Sequence, residues 1–355
     1  MLASKDQDAS QNDANVINPQ DQPGDTVSSL SWIPNTQYRY LAASSWDSKI
    51  RLYELAVQGY QKGLGLKSTF NIDDPALCTG WSEDCKTLFA GSINTKIYAY
   101  DVTTGQSAVV GQHEHGVRDV YWLPGMNVLA SLSYDKTIKF WDLKSPQSAT
   151  SFNLGYKVYC SDFLFPVIAV GLSDEKMLII NLNNMQALQK TPLDYIDSPL
   201  GPTSQLTAIG FFTDGSGLGS ASHDGRANLS QMSQDNNGRI KLNNIMTFKC
   251  HKVEQGTQTL YPVHGIGFHP KAKNFVYTAG GEGNIFFWDY QAKNKIVGFN
   301  YKNTPVTKTK MAPDGACLAY ALGYDWAKGI EGYMSHKPKL CVHIMADNEL
   351  MYSGK

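Results

Sequence analysis

A short strand-turn-strand-turn-strand pattern recurs along this 355-residue chain, and no other feature restricts its fold as much. In the clearest copy, Gly116 to Leu143, the run Val117-Arg118-Asp119-Val120-Tyr121-Trp122 leads through a Pro124-Gly125 turn to Val128-Leu129-Ala130-Ser131-Leu132-Ser133. The turn Tyr134-Asp135-Lys136-Thr137 and a third run, Ile138-Lys139-Phe140-Trp141-Asp142, complete it. Short runs rich in β-branched and aromatic residues, bounded by Gly, Pro and Asp, read as strands. The same grammar returns in Val27 to Leu55, Ala76 to Val102, Val158 to Leu182, Leu206 to Gln231, Val263 to Asp289 and Val306 to Ile344, which makes seven units. Their ends lie roughly 40–60 residues apart, the span of a four-stranded propeller blade. One small twisted sheet cannot bury both of its faces, whereas sheets stacked radially cover one another and closing the ring hides most edges. The expected fold is all-β, a seven-bladed β-propeller. Linkers such as Leu66-Lys67-Ser68-Thr69-Phe70 supply the outer strands, but the last unit lacks its own. Asn15-Val16-Ile17-Asn18 is the expected donor, giving one domain over residues 15–350 closed by an N-terminal strand, with residues 1–14 a disordered tail.

Composition narrows the function. A formal net charge of −1 excludes a nucleic-acid binder that works by bulk charge, so any RNA contact needs a local patch. The six cysteines form no C-x-x-C pair, and His113-Glu114-His115 lacks a third ligand, so no metal is expected. Nothing matches a phosphate-cradling G-x-G-x-x-G, a G-x-S-x-G elbow or an H-E-x-x-H helix, so neither enzyme chemistry nor a cofactor is expected. The polar N-terminus carries no signal sequence, and apolar runs such as Phe163 to Gly171 are too short to cross a bilayer. The expectation is a soluble intracellular protein without membrane insertion.

Two groups of residues exceed what a bare propeller needs. Several inter-strand turns carry large or charged side chains: Trp46, Tyr134 and Asp135, His223 and Arg226. Aromatic and Arg side chains in loops on a rigid frame are typical protein-binding anchors. Trp46 and Tyr134 have the alternative of packing on a neighbouring blade. Asp135 has another, because His113, Asp135 and Trp141 fit the WD-repeat pattern, in which such a trio staples the blade. The second group is Phe248, Lys249 and His251 together with Trp288, Asp289, Lys293 and Lys295. Aromatic faces interleaved with lysines suit stacking on bases or gripping an acidic peptide. Against that, Trp288 is readable as a blade Trp and the lysines as solvated.

Phe248-Lys249-Cys250-His251, Tyr261-Pro262-Val263 and Gly267-Phe268-His269-Pro270 resemble a small WD-repeat family. So do Ser45-Trp46-Asp47, Asp224-Gly225-Arg226 and Tyr324-Asp325-Trp326-Ala327-Lys328-Gly329, and the likeness runs from about Asn15 to Ile344. That family contains nuclear-pore mRNA export factors and a spindle-checkpoint relative; the Tyr-Asp-Trp-Ala-Lys-Gly stretch resembles the export branch. The resemblance implies a non-enzymatic scaffold that binds the GLEBS motif of an FG nucleoporin. Arg226 then matches an arginine that meets acidic GLEBS residues, and Trp46 an aromatic at the same interface. Phe248, Trp288, Asp289, Lys293 and Lys295 match a groove for single-stranded RNA, messenger ribonucleoprotein or acidic peptide. Lys293 replaces an arginine common there, which weakens bidentate phosphate contacts. Blades four and five depart from the pattern, with Ile180-Asn181 and Ser230-Gln231 in place of Trp-Asp. The implied location is the nucleus, pore complex and nuclear envelope, with a cytoplasmic share. The alternatives are a mitotic scaffold for checkpoint or spindle proteins and a substrate adaptor of a ubiquitin ligase.

Overall fold

The computed structural model describes residues 6–7, 13, 17–35, 39–58, 61–145, 147–190, 193–236, 239–255, 257–272, 274–301, 304–335 and 337–345. Each of the seven repeats forms one antiparallel sheet, whose strands follow chain order from the centre outward. The innermost strands are Val27–Trp32, Ala76–Trp81, Val117–Leu123, Val158–Leu164, Leu206–Phe211, Val263–Phe268 and Val306–Met311. Each packs beside the next, and the first lies against the last, so the blades close into a propeller.

Three devices repeat in every blade. The first is a wedge. Trp32, Trp81, Trp122, Phe163, Phe211, Phe268 and Met311 occupy one register position, opposite the second residue of the next strand. Each drives a large apolar side chain into the preceding blade: Trp32 donates its indole N–H to the Lys310 carbonyl at 2.9 Å, Trp122 stacks on Phe89 and Phe268 packs on Phe212. Burial on this scale drives blade-to-blade packing, at about 1.5–3 kcal/mol per large side chain. The second device is a bulge after the first residue of every innermost strand, which places Ser28, Leu77, Arg118, Tyr159, Thr207, His264 and Thr307 out of register at one end of the ring. The third is a turn hydrogen bond, described with the site below.

The ring closes at the N-terminus. Ile17 is buried in a cluster with Leu340 and Val342 of blade seven. Gln22 grips the edge of that blade like a one-residue strand, donating to the Leu340 carbonyl at 3.1 Å and accepting from its N–H at 2.7 Å. Asp13 accepts from the Tyr320 hydroxyl at 3.0 Å and meets His343 Nδ1 at 3.0 Å. The expected closing strand at Asn15–Asn18 falls partly outside the described residues, namely at Asn15 and Val16, and Ile17 and Asn18 are not in a strand. Within the span expected as a disordered tail, Asp6–Gln7 pair in parallel with Gly298 and Phe299, and Asp13 is buried. Blade seven has three strands among the described residues. A separate hairpin, Lys252–Gln255 with Thr257–Leu260, joins blades five and six.

Candidate partner-binding face and rim groove

In all seven blades, the backbone N–H that opens the turn between the second and third strands donates to the carbonyl just before the innermost strand. The pairs are Trp46 to Thr26, Ile93 to Pro75, Tyr134 to Gly116, Ser173 to Lys157, His223 to Gln205, Gly281 to Pro262 and Gly323 to Pro305, at 2.9–3.1 Å. The residues at this position therefore ring one face of the propeller at equivalent sites. Backbone bonding fixes each turn, which leaves the side chain free to vary. Blades one to three place Trp46, Ile93 and Tyr134 there, with Trp46 43% and Ile93 42% exposed. Exposed apolar side chains at neighbouring sites of one face are what an interaction surface looks like. Tyr134 is half-buried and lies over Gly116 beside Ile93. His223 is exposed.

Blade seven enlarges the same face. Its turn between the second and third strands, residues 323–338, carries Trp326 at 49% and Ile330 at 71% exposure. Trp326 stacks on Tyr333 with ring centroids 5.3 Å apart. Asp325 ties the segment to blade six through His264 Nε2 at 3.2 Å. Burial pulls the Asp325 carboxyl upward, but bonds from His264 and the Ala327 N–H outweigh it and hold the group below the usual carboxylate range. Sequence reasoning did not assign Ile93 or Ile330 to the face and used Trp326 only as a family signature. For Ile93, the signal was its alignment with Trp46 and Tyr134 after the second strand.

Arg226 begins the third strand of blade five. Its guanidinium pairs with Asp224 at 2.6 Å and donates to Ser204 Oγ. Burial works to raise the Asp224 carboxyl, but bonds from Arg226, Ser222 and Ser204 and the Arg226 charge outweigh it, holding the group at about 2. Asp224 therefore stays charged and keeps Arg226 in one orientation.

Asp135 leaves the candidate set. Its side chain is only 2% exposed. It meets His113 Nδ1 at 2.8 Å and accepts from the Glu114 N–H, the Thr137 N–H and the Thr137 hydroxyl. His113 Nε2 then meets Ser131 Oγ at 2.7 Å, which accepts the Trp141 indole N–H at 2.7 Å. A carboxylate already engaged by four donors inside a blade has nothing left for a partner. Burial alone would raise its pKa, yet the His113, Thr137 and Glu114 bonds bring it far below the carboxylate range.

At the rim between blades five and six, Phe248 and Trp288 meet edge-on at 5.1 Å, and Trp288 meets Phe286 at 5.7 Å. Lys295 Nζ lies 4.6 Å from the Phe286 ring centre. Lys249 and Lys293 are exposed. Lys293 sits at φ +54° in the turn before the outer strand, so this lysine holds a left-handed conformation. Trp288 also keeps a structural role, donating its indole N–H to Thr278 Oγ1 at 3.0 Å as Trp141 does to Ser131. One expected groove residue is corrected here, and Asp289 uses only its Oδ1 in the local turn. His251 is fully buried, bonded through Nδ1 to Glu282 at 2.5 Å, so it faces no ligand. Asp289 accepts from the Gln291 and Ala292 N–H groups and shapes the turn. The register pairs Arg226 with Lys249 and Ala227 with Phe248. The two candidate sets therefore meet at one end of blade five.

The family model described as WD domain, G-beta repeat matches residues 19–54 and 106–142. Over 343 residues the chain is 30% identical to the Poly(A)+ RNA export protein of Schizosaccharomyces pombe, covering 95% of this chain and 92% of that protein. It is 32% identical over 335 residues to the mRNA export factor rae-1 of Caenorhabditis elegans, covering 90% and 86%. It is also 30% identical over 297 residues to the Mitotic checkpoint protein bub-3 of the same worm, covering 82% and 83%.

Proposed function

The chain belongs to the WD-repeat family of mRNA export factors and their checkpoint relatives, and we propose that it is a non-enzymatic scaffold for messenger RNA export. In this reading its turn-bearing face binds the GLEBS segment of an FG nucleoporin and holds the protein at the nuclear pore and envelope, with a share in the cytoplasm. One observation carries the proposal. Exposed Trp46 and Ile93 occupy equivalent turns of adjacent blades, on the face that also presents Arg226. A ring of turns on a rigid frame is suited to an extended peptide, which finds apolar anchors on one side and a cation on the other. Because Asp224 and Ser204 hold the guanidinium in place, little side-chain freedom is lost on binding.

The rim groove of Phe248, Trp288, Lys249, Lys293 and Lys295 serves single-stranded RNA or an acidic peptide in the same reading. The edge-on aromatic pair supplies ring faces for a base to stack on, and the lysines neutralise phosphates. No described helix is long and apolar enough to cross a membrane. Calorimetry with a GLEBS peptide tests the face: Arg226→Ala should weaken binding by roughly 2–5 kcal/mol without lowering the melting temperature by more than a degree or two. Equal affinity would remove Arg226 from the interface. The bub-3 likeness supports a second reading, a scaffold for checkpoint or spindle proteins. Affinity purification separates the two, with an FG nucleoporin expected on the first and kinetochore kinases on the second.

A further inference from the structure

We propose that the axial channel holds a phosphate-sized oxyanion between Lys308 and Arg118. The innermost strands enclose a cavity of about 590 Å³. Most of them line it with small or neutral residues such as Ser29, Gly80, Thr207 and Gly265. Charge is concentrated on three blades. Blade seven contributes Lys308 and Lys310, blade three Arg118 and Asp119, and blade four Asp162. These five side chains carry three positive and two negative charges. A sixth lining charge, Glu83, lies in the turn after its strand and accepts from the Gly125 N–H.

The two acids are already engaged. Asp119 accepts from Arg118 at 2.9 Å through one oxygen and from Ser161 at 2.6 Å through the other. Asp162 accepts the Phe211 N–H at 2.9 Å and faces Lys310 at 3.7 Å across the ring. Lys308 has no carboxylate within ion-pair distance among the described residues. It lies within electrostatic reach of Arg118 and of the committed Asp119. Burial first, then the Arg118 charge, pushes the Lys308 amine down to about 8. It therefore still carries its proton at neutral pH, at a cost that a bound anion removes. Lys308 and the Asp119-paired Arg118 both line one walled cavity, and Lys308 has no ion-pair partner of its own among the described residues, which together make an oxyanion site. The cavity has ample room, since a water takes only about 30 Å³. Arg118 is fixed by donating to the Tyr159 carbonyl at 2.9 Å, so it is in position before the anion arrives.

The test is the melting temperature of the full chain in a zwitterionic buffer of low ionic strength, titrated with inorganic phosphate. An anion that binds only the folded state raises stability along a saturating curve. The expected result is a saturable rise in the wild type and in Lys293→Glu/Lys295→Glu, which alters only the rim. Lys308→Met should lose at least nine-tenths of the rise, with Lys308→Gln as the second variant should the first fold poorly. Potassium chloride at matched ionic strength should not reproduce it. A rise that survives both Lys308 substitutions, vanishes in the rim variant or is matched by chloride would overturn the assignment, as would no saturable rise in the wild type.

Discussion

Trp46→Ala is the substitution that most directly probes the proposed partner face. The indole is 43% exposed in the free protein. A tryptophan offers up to about 250 Å² of surface, so a docking segment that covers Trp46 removes roughly 110 Å² from water. At about 25 cal/mol per Å² that is roughly 2.7 kcal/mol, near a hundredfold in Kd. The truncation should leave the fold alone, because the turn is held by the backbone bond from the Trp46 N–H to Thr26 and by Asp47, not by the indole. Asp47 accepts from the Gly24 and Lys49 N–H groups and pairs with Arg51 at 2.7 Å. Isothermal calorimetry with a GLEBS peptide, paired with a thermal melt, separates the two effects. The expected outcome is binding weakened 10- to 100-fold at an unchanged melting temperature. Affinity within twofold of wild type would mean that the peptide does not cross blade one, and the interface would have to be sought elsewhere on the ring.

Asp135→Ala should unfold the protein more readily, since it strips four donors of their acceptor inside blade three; breaking a buried pair costs roughly 3–5 kcal/mol. At about 2.1 cal/mol/K per residue, that is a fall of roughly 4–7 °C in a calorimetric scan. Because the folded Asp135 carboxyl is depressed, its contribution is complete above the unfolded value near about 4 and lost as pH falls below it, so the variant's deficit should shrink in acid. Lys293→Glu/Lys295→Glu should abolish single-stranded RNA binding at moderate salt; any residual binding should show a salt slope smaller by about 0.7 per lost phosphate contact, and an unchanged slope would place RNA elsewhere. Deleting residues 1–22 should lower the melting temperature by several degrees, since it removes the contacts of Asp13, Ile17 and Gln22 on blade seven; an unchanged melt would show that the ring closes without them.

The blade count was legible because each repeat carries its own local signals: a β-rich run, a Pro-Gly or Asp-Gly turn, another run. The wedge series was partly visible too, since Trp32, Trp81 and Trp122 recur at one place in the unit. Ring closure was harder to read. Gln22 mimics a strand with one side-chain amide, and a contact spanning more than three hundred residues leaves no local periodicity. The errors at the site have one physical source. Sequence marks polar residues in turns and after strands, but whether such a residue faces water or its own blade depends on partners far along the chain. Asp135 waits for His113, His251 for Glu282 and Asp289 for its own turn. Asp135 and His251 were chemically able to bind something and had already done so, while Asp289 spends one oxygen on its turn.

What remains available follows from how the ring is built. The seven turn bonds use only backbone atoms, so the side chains of Trp46 and Ile93 are not needed to hold their turns, whereas Ser173 accepts the Lys157 N–H, the His223 ring meets the Gln205 carbonyl and Tyr134 packs over Gly116. Gly281 is the counterexample: a Cβ there would come within 2.9 Å of Asp325 Oδ2. Blade six therefore accepts no large anchor at that turn, because the blade-seven segment occupies the space and brings Trp326 instead. The apolar arc thus runs from blade seven through blades one and two, while the cationic contact, Arg226, lies on blade five across the face. A peptide using both has to reach beyond blade six, which separates the blade-seven segment from blade five.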